Sequence, residues 1–237
     1  MKNLGTLILL YLVSFTVSAQ KVIEKQLTTK ADNIEVEFKF ADDIILKTWD
    51  KNEIYIKAVV SVNQGEFDDY FDLKVDNTSS ILEIESTYGD LFKKQNEIRK
   101  ARKDGKWNPC DNLDIDAKYT LYVPKTLRLR VKSISGSVAS ENYEGELDID
   151  IISGDIDIKD YEGELRLKTI SGDIDIHIAK SSLLAETITG MIYSDKDMEF
   201  DQGKNRVVGS KVTGTFGDAK SRLHLKTISG SIYLRKQ

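Results

Sequence analysis

The sequence predicts an all-β protein: a parallel β-solenoid with turns of about 18 residues over 126–237, preceded by an N-terminal region of mostly antiparallel strands packed on its end. Three observations carry this reading. Phrases of the Thr-Ile-Ser-Gly kind return at fixed spacing, with Gly136, Gly154, Gly172 and Gly190 each 18 residues apart (154−136, 172−154, 190−172). Such a short period means one supersecondary unit stacked on copies of itself. Apolar and polar residues alternate at period 2 along most of the chain, the mark of half-buried strands. Finally, only 2 prolines and few helix-like patterns occur in 237 residues.

The first nineteen residues read as a signal peptide outside the fold. Lys2 supplies the positive start, Leu4 to Val17 the apolar run, and Val17-Ser18-Ala19 a small-residue cleavage site. Cleavage after Ala19 leaves Gln20 first, with no cysteine there for a lipid anchor. The apolar run is too short for a spanning helix, and nothing later in the sequence reads as membrane-spanning. The chain is therefore expected to be exported, to the periplasm, the cell surface or the medium.

Residues 20–125 form the expected N-terminal strand region. Alternation is clearest in Ile34 to Phe40 and continues through Ile44–Trp49, Ile54–Val62, Tyr70–Val75 and Ile81–Ile84. Turn chemistry separates these runs at 41–43, 50–52, 63–65 and 76–78. Trp49 closes its strand and is assigned to the core. Residues 88–112 break the pattern with a basic insertion, holding a short helix around Leu91 to Arg102. Insertions of this length are uncommon unless functional or disordered. Strand pattern resumes at Leu113–Asp116, Tyr119–Val123 and Leu127–Val131.

The repeats from 126 divide again into halves of nine, since Gly145 and Gly163 follow Gly136 and Gly154 by nine residues (145−136, 163−154). Apolar residues sit two and four after each glycine: Leu147 and Ile149, Ile156 and Ile158, Leu165 and Leu167, Ile174 and Ile176. Even offsets point inward and odd offsets outward, so the isoleucines of Asp-Ile-Asp-Ile are core and the aspartates surface. Ile-Ser-Gly marks a tight corner, read here with its isoleucine inward. Val212-Thr213-Gly214 and Thr227-Ile228-Ser229-Gly230 continue the series at stretched and shortened spacings of 24 and 16 (214−190, 230−214), with a loop at 195–204 between.

Val123-Pro124-Lys125, Leu127-Arg128-Leu129 and the reiterated Ser-Gly-Asp-Ile-Asp-Ile resemble a bacterial domain of unknown function that carries an adhesin label. It is similar in kind to the β-solenoid heads of auto-transporter adhesins. The resemblance spans roughly residues 115–237 and implies a β-solenoid without catalytic residues.

Composition limits the partners. The net charge of −5, or −6 without Lys2 (−5 − 1), opposes nucleic acid. Cys110 is alone, so no internal disulfide forms. Asp155 and Asp157 stack on Asp173 and Asp175, which makes them candidate Ca²⁺ ligands or, more simply, a solvated acidic face. The serines and threonines just before the corner glycines are expected to satisfy corner backbone groups. His177 and His224 lack metal-ligand spacing, and no catalytic triad is suggested. Tyr193, Tyr233 and Trp107 are the candidate ligand-binding residues, suited to stacking on a glycan, surface polymer or protein. The function expected is a non-enzymatic, exported, adhesin-like binding protein with no cofactor. The alternatives are a polysaccharide-active β-helix enzyme, or a structural envelope component self-associating through a terminal turn near Leu225 to Leu234.

Overall fold

The computed structural model describes residues 20–78, 80–101, 113–178, 180–195, 201–202, 209–219 and 221–236. Residues 1–19, read above as a signal peptide, Trp107 with Cys110, and most of the 195–204 loop lie outside the described residues.

Alternating burial runs through nearly every strand. The N-terminal strands are β1 (Lys21–Leu27), β2 (Asn33–Phe38), β3 (Asp43–Trp49), β4 (Ile54–Val62), β5 (Asp72–Asn77) and β6 (Ile81–Thr87). Helix α1 (Leu91–Ala101) follows where the sequence places it, then β7 (Ile115–Pro124) and β8 (Arg128–Ser135). Two long bent strands, β9 (Ser137–Ser153) and β10 (Ile156–Ser171), lead into β11 (Ile174–Ile178), β12 (Ser181–Thr187) and β13 (Ile192–Ser194). The chain ends with β14 (Asp201–Gln202), β15 (Ser210–Thr215), β16 (Ser221–Lys226) and β17 (Ile232–Lys236).

All these strands belong to one sheet that folds back on itself, barrel-like and nearly closed, with mixed strand orientation. Its front wall runs β5–β6–β2–β8–β9–β10–β16–β12–β15–β14. Its rear wall runs β1–β4–β7–β3–β9–β10–β11–β17–β13. Strands β9 and β10 cross from rear to front at Asn142 to Gly145 and at Asp160 to Gly163, where all four of Asn142, Gly145, Asp160 and Gly163 have positive φ. Inward Ile, Leu and Val from both walls form a single core.

The middle of the stack is parallel and strictly in register, with Ile156 paired to Ile174 and Leu165 paired to Leu147 at the 18-residue offset. The expectation of a parallel repeat over 126–237 needs correcting at its C-terminal end. Pairs β12–β15 and β14–β15 are antiparallel there, as are β1–β4, β4–β7 and β5–β6 at the other end of the stack. In the N-terminal region, parallel pairs accompany the antiparallel ones. Strand β2 lies parallel between β6 and β8, and β3 lies parallel between β7 and β9. The division at residue 126 therefore separates neighbours within one sheet.

The rungs are also not stacked in chain order. The last rung, β16 to β17, slots between β10–β11 and β12–β13, pairing in parallel with both. The expected terminal turn near Leu225 to Leu234 is an interior one, so it offers no free edge. Gly214 is not a corner, because it sits within β15 opposite Leu183.

The corner glycines record this order. A Cβ on Gly172 would lie 2.0 Å from the Gly154 carbonyl oxygen, one on Gly230 2.0 Å from that of Gly172, and one on Gly190 1.7 Å from that of Gly230. No side chain fits such a backbone approach.

Candidate functional site

The corner phrase splits its side chains differently from the sequence expectation. In Thr-Ile-Ser-Gly the threonine turns inward: Thr169, Thr187 and Thr227 are buried. Each hydroxyl donates to the corner glycine carbonyl of the rung beneath, Thr169 to Gly154 at 3.1 Å, Thr227 to Gly172 at 3.0 Å and Thr187 to Gly230 at 2.8 Å. The isoleucine, expected inside, points out because alternation resumes from the buried threonine. Ile134, Ile152, Ile170 and Ile188 are 44%, 48%, 38% and 45% exposed. With Ile228 between Ile170 and Ile188, they form an apolar stripe running up the corner.

Beside the stripe runs a second ladder, from the residue that follows each glycine. The Asp155 amide donates to Ser137 Oγ at 3.3 Å, the Asp173 amide to Asp155 Oδ1 at 2.8 Å, and the Ser231 amide to Asp173 Oδ1 at 2.7 Å. Met191, in the outermost rung, supplies no oxygen and needs none.

This geometry also places the four aspartates considered for calcium. Asp155 and Asp173 accept those amides. Asp175 is held by the Arg235 guanidinium at 2.5–2.9 Å, and Asp157 lies 3.6 Å from Lys159 Nζ. Among the described residues, no group of three or more His, Cys, Asp or Glu is placed to hold a metal ion.

Tyr193 and Tyr233 come together as outward neighbours on β13 and β17. Their rings stack at 5.2 Å between centroids with planes 13° apart. The Arg235 guanidinium lies 5.9 Å from the Tyr233 ring. Met191 is 61% exposed and Tyr193 48%, so the aromatic pair continues the isoleucine stripe onto the end of the stack.

The outer front wall is charged instead. Its rungs alternate in sign: Arg128, Arg130 and Lys132 on β8 face Glu146, Asp148 and Asp150 on β9. Arg128 Nε reaches Glu146 at 2.6 Å, which holds the Glu146 carboxyl below its ordinary value and raises the Arg128 guanidinium. Arg222 pairs with Glu164 across β16 and β10. A shallow, open depression of about 600 Å³ lies over these residues, including Arg166 and Glu35. Positive and negative groups balance there, so the wall reads as strand-to-strand charge pairing. His224 stands beside Arg166 on this wall and His177 beside Arg235 on the other, with no serine–histidine–acid convergence among the described residues.

One repeated phrase has a role that its spacing alone does not show. Tyr-Glu-Gly-Glu-Leu occurs twice, at 143–147 and 161–165. Its tyrosines are buried plugs at the rear-to-front corner, with the Tyr143 hydroxyl donating to the Leu127 carbonyl at 3.1 Å. Burial pushes the Tyr143 phenol up. Trp49, assigned to the core, lies on the outer rear wall, half-buried against Tyr55 and Tyr122.

Fold and surface together define an all-β stack of rungs that presents side-chain columns to its surroundings. The chain belongs to the Toastrack DUF4097 family, whose sequence profile matches residues 114–235. No curated protein matches it. Among solved structures it is similar to a "putative cell adhesion protein" from Clostridium sporogenes, with 13% identity, TM-score 0.60, and 92% of this chain and all of that one covered. That similarity is one of fold. A "putative adhesin" from Bacteroides fragilis aligns with 10% identity over 90% of this chain and 97% of its own, at a TM-score of 0.31. Another, from Parabacteroides distasonis, has 12% identity over 93% and 98%, at 0.27.

Proposed function

We propose that this chain is an exported, non-enzymatic, adhesin-like protein of the bacterial envelope. It binds surface ligands through side-chain columns displayed on a rigid, solenoid-like stack. The observation that carries the reading is the contiguous exposed stripe of Ile134, Ile152, Ile170 and Ile188, extended by Met191 and Tyr193. Solvent-exposed apolar rows of this extent mark interaction surfaces, and here nothing in the fold requires them, since the core is complete without them. Tyr193 and Tyr233 supply a rigid aromatic pair at the end of the stripe, and Trp107 in the basic insertion is a further contact. The signal peptide at 1–19 delivers the chain across the inner membrane, to the periplasm or the surface. Calcium is not required in this reading, because Asp155, Asp173 and Asp175 already have partners.

The test is a binding screen of residues 20–237 against glycans, envelope polymers and surface proteins, with turnover followed in the same samples. Saturable binding without product supports the proposal. Product formation would establish the polysaccharide-active alternative, and absence of all binding would refute the display function.

A further inference from the structure

The outer rear wall carries a feature that neither the core nor the isoleucine stripe uses. Alternation in β3, β4 and β7 turns Trp49, Tyr55 and Tyr122 outward, while Ile54, Ile56, Leu121 and Val123 beneath them are fully buried. The three rings therefore lie on a finished core. Register places Tyr55 opposite Tyr122 and Tyr122 opposite Lys47. Ring centroids are 5.3 Å apart for Trp49–Tyr122, 5.8 Å for Tyr55–Tyr122 and 6.4 Å for Trp49–Tyr55. The indole is fixed, because its Nε1–H donates to the Glu53 carbonyl at 2.7 Å. A ring held in place loses little freedom when a ligand stacks on it.

The lysines of this wall fall into two groups. Lys57, Lys118 and Lys125 pair with Glu24, Asp43 and Asp50 at 3.1, 3.7 and 3.1 Å. Lys47 and Lys51 have no carboxylate partner among the described residues. Their ammonium groups stand over the rings instead, 5.6 Å from the Tyr122 centroid and 4.7 Å from that of Trp49.

We propose that Trp49, Tyr55 and Tyr122, with Lys47 and Lys51, form a binding site for a carboxylated oligosaccharide of the uronic-acid type. The CH face of a pyranose ring stacks on the aromatic faces. Its carboxylate meets the two unpaired ammonium groups, and its hydroxyls reach Gln26 and Glu53 at the rim. Single-stranded nucleic acid also combines stacking with cations, so oligo-dT serves as the competing ligand in the test. The proposal rests on the reading of the chain as an envelope binding protein and names one ligand class and one site for it.

The experiment uses residues 20–237 with both tryptophans present and a Trp49→Phe chain as control, so that the signal of Trp49 is obtained by difference. Its emission is titrated with a hexamer of galacturonic acid, a neutral glucose hexamer and oligo-dT. Saturable quenching by the uronate is expected. Lys47→Gln with Lys51→Gln should weaken it about tenfold or more, and Tyr122→Ala should remove it while circular dichroism remains native. The two exposed lysine changes keep the test valid if Tyr122→Ala disturbs folding. No response to the uronate, equal binding of neutral sugar with no effect of the lysine changes, or tighter binding of oligo-dT would each overturn the proposal. If the broad screen still finds ligands when this titration fails, the site is wrong and the display function stands. If both fail, the function is wrong as well.

Discussion

At its N-terminal end the stack closes with β6 and β7, backed by antiparallel β5, β4 and β1 and capped by helix α1. At its C-terminal end it closes with β12 and β13, and antiparallel β15 and β14 back only the front wall. Both ends use an excursion of the chain to lay an outer rung over an inner one. Parallel rungs leave unpaired strand edges that invite association, and the antiparallel strands cover them except at β13, which pairs with β17 alone among the described residues. The interiors differ. The N-terminal end is plugged by aromatics, with Phe38 stacked on Tyr119 at 4.0 Å and Phe71 and Tyr88 beside them. The C-terminal end has Leu183, Ala185 and Val212 instead. Packing strength thus concentrates at one end, while Ile188, Met191 and Tyr193 stand exposed at the other.

The termini differ just as much, and this gives the largest expected effect. Strand β1 has no fully buried residue and lies at an edge. Strands β16 and β17 bury Leu223, Leu225, Ile232 and Leu234 between two neighbouring rungs. At about 1.5–3 kcal/mol for each such side chain, their removal rivals the entire stability of a domain, about 5–15 kcal/mol. A chain lacking 221–237 should lose cooperative unfolding and aggregate, whereas one lacking 20–27 should remain folded with a lower Tm. Size exclusion and circular dichroism of the two truncations decide this. A soluble, cooperative chain without 221–237 would break the inner-rung assignment.

The second effect is local to the corners. Gly172 has φ +152° with the Gly154 carbonyl 2.0 Å from any Cβ, whereas Gly89, before helix α1, has φ +47° and nothing nearer than 3.9 Å. Gly172→Ala should cost about 3 kcal/mol or more through displaced backbone, and Gly89→Ala about 1–2 kcal/mol through φ alone. Urea midpoints of the two variants give the ratio, and equal losses would show that the corners are not closely stacked.

The middle of this fold was readable because its rules are local. The offset of 18 fixed the register of β9 and β10, and alternation placed Ile156, Ile158, Leu165 and Leu167 inside. The ends were not readable from periodicity, because a repeat says which rungs match and nothing about the order in which they stack. One signal did encode that order. Ser137, Asp155, Asp173 and Ser231 each carry the oxygen that receives the next rung's amide, and Met191 does not, which marks its rung as outermost. The isoleucines of Ile-Ser-Gly face outward, against the expectation, because parity from the buried Thr169 and Thr227 outweighs their hydrophobicity. Trp49 faces outward for the same reason. Of the surface candidates, the outward direction of Tyr193 and Tyr233 followed from offset arithmetic, but their stacking needed β13 beside β17, and the Trp49, Tyr55 and Tyr122 cluster needed β3, β7 and β4 to be brought together, which no spacing reveals.

The N-terminal plug should also answer to alkaline pH. Burial pushes the Tyr119 phenol up to about 12 and raises Tyr88 beside it. A folded value above the unfolded one, near 10, means that stability is complete below pH 10, falls as only the unfolded chain ionises, and is lost as pH rises through about 12. For Tyr119 this amounts to about 2–3 kcal/mol. Amide exchange should therefore accelerate in β2 and β7 before β12 as pH is raised. Uniform acceleration along the stack would remove the distinction between the ends.

The smallest effect tests the stacking order itself. Asp173 Oδ1 accepts the Ser231 amide at 2.7 Å although Met191 is nearer in sequence. Asp173→Ala leaves that amide, partly buried at the corner, without its partner and should cost about 1–2 kcal/mol. Met191 has no rung above it, so Met191→Ala should change stability by no more than about 0.5 kcal/mol. The amide resonance of Ser231, assigned by NMR in the Asp173→Ala chain, reads the bond directly: its exchange should quicken while that of Met191 stays unchanged. Were the rungs stacked in chain order, the Asp173 carboxylate would face the Met191 amide instead, and the two amides would exchange roles in this measurement.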